Sequence, residues 1–291
     1  MVERLKIAVE KARALREQAV LPEKAPLEGL TVTEPAAPPA EAPVQNVLDQ
    51  NNDADWAAAW NALGSLDLDT RHLERNRVVA YGKDNPGHAG FDVLRTRMLA
   101  ALARNGWTRV GITSPSKGCG KTFVATNLAF SMARQPNCRT ILMDMDMRQP
   151  SIGKVLGAGH QDSLRWFLTG EIPAAKYLRR VGSNLAVGTN SGRMRDSAEV
   201  IQTPSTAHAL NTMHKHLDPT VVIYDLPPML ACDDVTAFLP QLDCVLLIIG
   251  GGTSKPSDVT ECETLLKDQC PLLGVLVNKA EGVAAESYLY Y

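Results

Sequence analysis

The spacing of apolar and polar positions divides the chain into two unlike parts. From about residue 76, short β-branched runs alternate with amphipathic stretches of helical length. Residues 109–113, 140–144, 185–189, 221–225, 245–249 and 273–278 are predicted strands, and 122–134, 205–217 and 256–267 carry helical spacing. Continuous apolar strands separated by helices predict an α/β domain over residues 76–281, a doubly wound, mostly parallel sheet covered on both faces. In such a sheet the ligand lies beyond the carboxyl ends of the strands.

Upstream the pattern weakens. Residues 1–20 place Leu5, Val9, Ala12 and Leu15 at helical spacing among Glu, Lys and Arg, which predicts a short amphipathic helix, either a docking element or a helix packed on its own domain. Residues 21–75 read as a Pro/Ala-rich linker, mostly disordered over 21–53 for want of apolar surface to bury, with Pro22, Pro26, Pro35, Pro38, Pro39 and Pro43 among small and acidic residues, and ambiguous over 54–75. Within it, Trp56 and Trp60, four apart, mark a helical turn with a sticky face. The last stretch, 282–291, is small and flexible before it becomes aromatic.

Composition narrows the function. With 30 Lys plus Arg against 32 Asp plus Glu, the net charge is −2 and no basic block stands out, so a nucleic-acid partner is not expected. The six cysteines form neither a C-x-x-C pair nor a zinc-spaced set with His, which suits a reduced cytoplasmic setting. Residues 1–10 lack the apolar core of a secretion signal, and the most apolar stretch, 244–252, is far short of the ~20 residues that cross a bilayer. Membrane association is therefore expected to come through a partner.

The chemistry gathers at strand ends. The first predicted strand runs into Ser114-Pro-Ser-Lys-Gly-Cys-Gly-Lys-Thr122 and then at once into a helix, the context of a phosphate-binding loop. Backbone N–H groups of Lys117, Gly118, Cys119, Gly120, Lys121, Thr122 and Phe123 would surround the phosphates of ATP, Lys121 would reach the outer ones, and the Thr122 hydroxyl would ligate Mg²⁺. Pro115 stands where the usual pattern has glycine. Asp144 and Asp146 follow the second strand, two apart and so on one side, and Asp225 ends another strand. A lone Asp there would cap a helix; three converging on a phosphate loop read as a Mg²⁺-nucleotide site.

These motifs together resemble the bacterial protein-tyrosine kinases of capsule and exopolysaccharide synthesis, within the deviant-Walker P-loop ATPases. The resemblance covers about residues 80–291 and rests on Lys117-Gly-Cys-Gly-Lys-Thr122, Met143-Asp-Met-Asp-Met-Arg148, Ile223-Tyr-Asp-Leu-Pro-Pro228 and Tyr288-Leu-Tyr-Tyr291. It implies an ATP-dependent tyrosine autokinase in which Thr122, Asp146 and Asp225 hold Mg²⁺ and Lys121 holds the β- and γ-phosphates. Asp144 would accept the phenol proton, although exchanging it with Asp146 fits equally, and Arg148 would bind the phenol, stabilise charge, or simply pair with a nearby carboxylate. Asn278, ending the last strand, would contact adenine or close a turn. Tyr288, Tyr290 and Tyr291 would be phosphorylated in trans. The resemblance also implies a separate membrane-bound chain-length or copolymerase activator that recruits the protein to the membrane's inner face, and a cognate tyrosine phosphatase.

Two departures stand out. Where the family packs subunits into a ring through Glu-x-x-Arg-x-x-Arg, this chain has Ala89, Asp92 and Arg95, which puts a ring held by that contact in doubt. The related ParA/MinD-like ATPase switches carry a signature lysine where this chain has Ser116, which favours the kinase over the switch. A non-catalytic nucleotide-binding adaptor of a polysaccharide copolymerase is the third reading.

Overall fold

The predicted runs at the centre of the sheet become strands because their side chains are buried on both faces, whereas the edge run 273–278 keeps Val275 and Val277 exposed; the computed structural model describes residues 50–279 apart from 83–84, 160–162 and 191 and the side chains of 50–55. The expected helix at 1–20, the linker up to residue 49, and the tail with Tyr288, Tyr290 and Tyr291 lie outside the described residues. The strands are β1 (Gly64–Ser65), β2 (Arg109–Thr113), β3 (Thr140–Asp144), β4 (Arg179–Val181), β5 (Leu185–Gly188), β6 (Val221–Asp225), β7 (Cys244–Gly250) and β8 (Leu272–Asn278). They form one sheet in the order β1-β4-β5-β3-β6-β2-β7-β8, parallel throughout except where β4 meets β5.

Alternation along a strand sends successive residues to opposite layers. In β3, Ile141 and Met143 enter one apolar cluster and Leu142 the other; in β6, Val222 and Tyr224 oppose Val221 and Ile223 in the same way. The longer helices are α1 (Gln50–Asn61), α2 (His88–Asn105), α3 (Lys121–Ala133), α4 (Pro204–Leu217) and α5 (Pro256–Leu266). Local chemistry sets their ends. At α4 the Thr203 hydroxyl accepts from the Thr206 N–H, Pro204 opens the first turn and Asp218 closes the helix in the left-handed region. A glycine at φ 67°, Gly106, closes α2.

The linker boundary expected at residue 75 is corrected. Residues 50–75 form α1, β1 and a short helix (Thr70–Arg75), so this stretch is part of the packed unit and not of a linker. Two indoles and a few leucines suffice to anchor this segment, too few for a periodic signal. Trp60 is 3% exposed and donates from Nε1 to the Leu217 carbonyl at 2.6 Å. The Arg139 guanidinium lies 4.0 Å from the ring centre of Trp56, and Leu63 and Leu73 are buried.

The departure at Asp92 also finds a physical role. Its carboxylate accepts from Arg95 (2.9 Å), from the Ser131 hydroxyl (2.7 Å) and from Arg134, tying α2 to α3. Burial works against the charge, but the Ser131 hydroxyl and the Arg134 and Arg95 guanidiniums outweigh it and hold this carboxyl below its ordinary range. Arg95, with 12% of its side chain exposed, is committed to this internal cluster.

Two outcomes test these contacts. Trp60→Ala should lower unfolding stability by ~3–5 kcal/mol in denaturant titrations, a core-sized loss. Because the Asp92 carboxyl is depressed in the folded state, its contribution is present above the unfolded value of about 4 and is lost as pH falls through the lower folded one. The melting-temperature gap between wild type and Asp92→Asn should therefore be full at about pH 6 and close below about pH 4.

Candidate nucleotide site

The loop from Ser114 to Gly120 leaves β2 and turns directly into α3, so its N–H groups gather at a helix amino terminus. Gly118 and Gly120 have φ of 82° and 93°, left-handed values that a side chain would strain. At Gly120 there is also no room, because an added Cβ would fall 2.1 Å from the Asn278 amide nitrogen. That amide donates to the Cys119 carbonyl (2.9 Å) and Lys279 Nζ donates to the Gly118 carbonyl (2.8 Å), so the end of β8 braces the loop from behind. The Asp-Leu-Pro-Pro segment braces its start. The Thr113 hydroxyl donates to Pro227 (2.7 Å), and the Met229 N–H donates to Ser114 (2.8 Å).

Strand register brings the carboxylates together. Asp144 of β3 and Asp225 of β6 are direct partners across the parallel ladder, and both are fully buried. Asp225 Oδ2 accepts from the Thr122 hydroxyl at 2.6 Å, and that hydroxyl lies 2.9 Å from the Ser151 hydroxyl. Asp144 Oδ2 accepts from the N–H groups of Ser151 (2.8 Å) and Ile152 (2.9 Å), capping the short helix Ile152–Leu156. The remaining oxygen of each, Asp144 Oδ1 and Asp225 Oδ1, is buried without a partner. Asp146, 7% exposed, accepts from the Gln149 N–H at 2.9 Å.

Electrostatics oppose this arrangement. Burial first, then the Asp225 charge, pushes the Asp144 carboxyl well above its ordinary range. Burial likewise raises Asp225, to about 7, although Lys121 and the Thr122 hydroxyl pull the other way. The orphaned oxygen of Asp225, on a carboxylate beside the Thr122 hydroxyl and acted on by Lys121, suits a divalent cation, and Asp144 next to it carries a second orphaned oxygen. Among the described residues no three His, Cys, Asp or Glu side chains form a complete cage. Mg²⁺ needs none, since it takes one or two carboxylates and completes its shell with phosphates and water.

The other expected residues sort as follows. Lys121 is buried at the start of α3, whereas Lys117 and Gly118 are exposed. Cys119 is buried, its thiol 3.5 Å from the Ser254 hydroxyl. The Phe123 ring packs edge-on against Phe91, 5.6 Å between centres, so its side chain belongs to the seam between α2 and α3. Arg148 pairs with Asp234 at 2.8 Å, the salt-bridge alternative. Ser151 and Lys279 were not singled out by sequence. Each adjoins a marked position, Ser151 beginning a helix after the Asp-x-Asp-x-Arg run and Lys279 following Asn278, and adjacency was the only signal available.

A parallel sheet carrying a phosphate loop, with acidic strand ends beside it, defines a P-loop nucleotide-binding protein. No protein-family model matches the chain. Among curated proteins it is 24% identical to tyrosine-protein kinase Etk of Escherichia coli K12 over 225 residues, covering 76% of this chain and 30% of that protein. It is 28% identical to succinoglycan biosynthesis transport protein ExoP of Rhizobium meliloti, also over 225 residues, covering 73% of this chain and 28% of that protein. The crystal structure of the VpsO kinase domain superposes with a TM-score of 0.59 at 25% identity, over 66% of this chain and 94% of that one. The septum-site protein MinD of Pyrococcus horikoshii, solved with Mg-ADP, shares the fold at 17% identity and a TM-score of 0.52, over 62% of this chain and 75% of that one. Within the P-loop class, the chain is thus similar in sequence and fold to bacterial proteins named as tyrosine-protein kinases. It spans under a third of the length of several of the curated relatives it matches, and 88% of CapB of Staphylococcus aureus. No helix among the described residues is long and apolar enough to cross a membrane.

If Asp144 and Asp225 are held together against their repulsion, Asp144→Asn should raise the melting temperature of the metal-free protein by about 2–4 °C, the shift worth ~1 kcal/mol in a domain of this size. Asp225→Asn, which alters an expected Mg²⁺ ligand, should lose most of the stabilisation that Mg²⁺ with ADP gives the wild type, read in paired thermal melts.

Proposed function

We propose that this protein is an ATP-dependent protein-tyrosine autokinase that phosphorylates Tyr288, Tyr290 and Tyr291 of a neighbouring copy and thereby regulates exopolysaccharide or capsule synthesis and export. The observation that carries the reading is the Asp144–Asp225 pair with its two unpartnered oxygens beside Thr122. Such a pair is costly in a protein that does not neutralise it.

In this reading the loop N–H groups and Lys121 hold the phosphates. Thr122, Asp146 and Asp225 hold Mg²⁺, which when bound offsets the negative charge of the phosphates. Asp144 accepts the phenol proton, and burial and the Asp225 charge raise its proton affinity, the direction a general base needs. As the phenol oxygen bonds to the γ-phosphorus, the bond from that phosphorus to the bridging oxygen breaks and ADP leaves. Each phosphate adds about −1.5 to −2 charges to the tail, so modification would drive neighbouring tails apart. A separate membrane-bound copolymerase would recruit and activate the protein, and a cognate phosphatase would reset it. The dimer-switch alternative lacks its lysine at Ser116.

Purified protein given ATP and Mg²⁺, with its activator present, should gain phosphate on the tail tyrosines by intact mass and peptide mapping, and Lys121→Met should reduce this below detection. Absence of added phosphate under those conditions would leave the nucleotide switch or the adaptor as the better reading.

A further inference from the structure

The ion pair between Arg148 and Asp234 is built more carefully than a surface salt bridge. Arg148 lies two residues past Asp146 on the loop leaving β3, and Asp234 lies nine residues past Asp225 on the segment leaving β6. Arg148 Nε is 3.1 Å from both Asp234 oxygens, and Nη2 is 2.8 Å from Oδ1. Asp234 is wholly buried and also accepts a 2.6 Å bond from the buried Ser197 hydroxyl, at the start of the helix Ser197–Ile201. Asp233 adds a longer contact to Nη2, at 3.5 Å. Arg148 itself remains 41% exposed, with Nη1 outside the pairing.

A buried carboxylate cannot be left without its counter-charge, and a guanidinium gripped on two donors has little freedom to turn. The grip therefore fixes both the place and the plane of Arg148 while leaving one edge exposed. It also joins three segments that leave the carboxyl ends of β3, β5 and β6, the rim on which the acidic residues stand. The phosphate loop, between β2 and α3, is braced separately by Asn278, Lys279 and the Asp-Leu-Pro-Pro segment.

We infer that Asp234, steadied by Ser197, is a positioning residue that orients Arg148 toward the acceptor phenol and the phosphoryl group passing to it, not toward the resting nucleotide. This rests on the kinase reading above. It separates two tasks: the braces on the loop govern nucleotide affinity, and the Arg148–Asp234 grip governs transfer.

The test uses the full chain with ATP and Mg²⁺, activator present. It compares wild type, Asp234→Asn, Arg148→Ala and the double variant by initial rate of tail phosphorylation, affinity for a fluorescent ADP analogue, and melting temperature. Asp234→Asn should slow transfer by about tenfold or more, the scale of a misplaced catalytic contact, while nucleotide affinity stays within about twofold. The double variant should be no slower than Arg148→Ala, because a residue acting only through Arg148 has nothing left to orient. It should also melt above Arg148→Ala, because that single change strands a buried charge which the asparagine removes. A wild-type rate in Asp234→Asn, a double variant slower than either single, or nucleotide affinity falling in step with rate would each overturn the inference while leaving the kinase reading standing. A wild type that transfers no phosphate would overturn that reading, and this role with it.

Discussion

Two aspartates placed side by side in the middle of a buried parallel sheet are the constraint around which the rest of this molecule is arranged. The β3–β6 register makes Asp144 and Asp225 neighbours, and apolar strands on both sides keep them out of water. Nothing in packing alone favours this. The opposing cost is met locally: Thr122 and Lys121 act on Asp225, and two backbone N–H groups act on Asp144. Close packing beneath the site keeps the strands in place. At Gly111 of β2 an added Cβ would fall 2.5 Å from Leu242 and 2.9 Å from Leu226, so the ends of those side chains would have to shift to admit it. A fold that holds like charges together gives up stability for chemistry, the usual trade at a functional site.

The main architecture was legible because strands buried on both faces leave continuous apolar runs, a signal needing no knowledge of neighbours. The runs at 109–113, 140–144 and 221–225 match β2, β3 and β6 to the residue. The short edge strands were not legible. β1 has two residues and β4 three, and their pairing depends on partners far away in sequence. Trp56 and Trp60 announced a helical turn, but their packing against Arg139 and the carbonyl of Leu217 could not be read from spacing, so residues 50–75 were joined to the linker.

The site was legible by residue type and less so by partner. Spacing identified Asp144, Asp225 and Thr122. It could not tell that Asp144 does two things, capping a helix with one oxygen and presenting the other. Asp92 shows the same limit. Read against the family's ring motif it looks like a loss, whereas in the folded chain it gains three partners and draws Arg95 inward. A side chain that holds α2 to α3 is not available to hold a neighbour, which gives the departure from the ring motif an internal structural role.

Asn278 carries that logic to the nucleotide itself. An amide that read adenine by donating from Nδ2 would have to release the Cys119 carbonyl, which it meets at 2.9 Å. Releasing it would loosen the phosphate loop next to Gly120, where the amide already occupies the space a side chain would need. Positioning the phosphates and recognising the base through the same donor are therefore competing uses. The contact with Lys279 on the adjacent carbonyl reinforces the first. The observed work of the end of β8 is thus to brace the loop, the turn-closing alternative for Asn278 and not the adenine one.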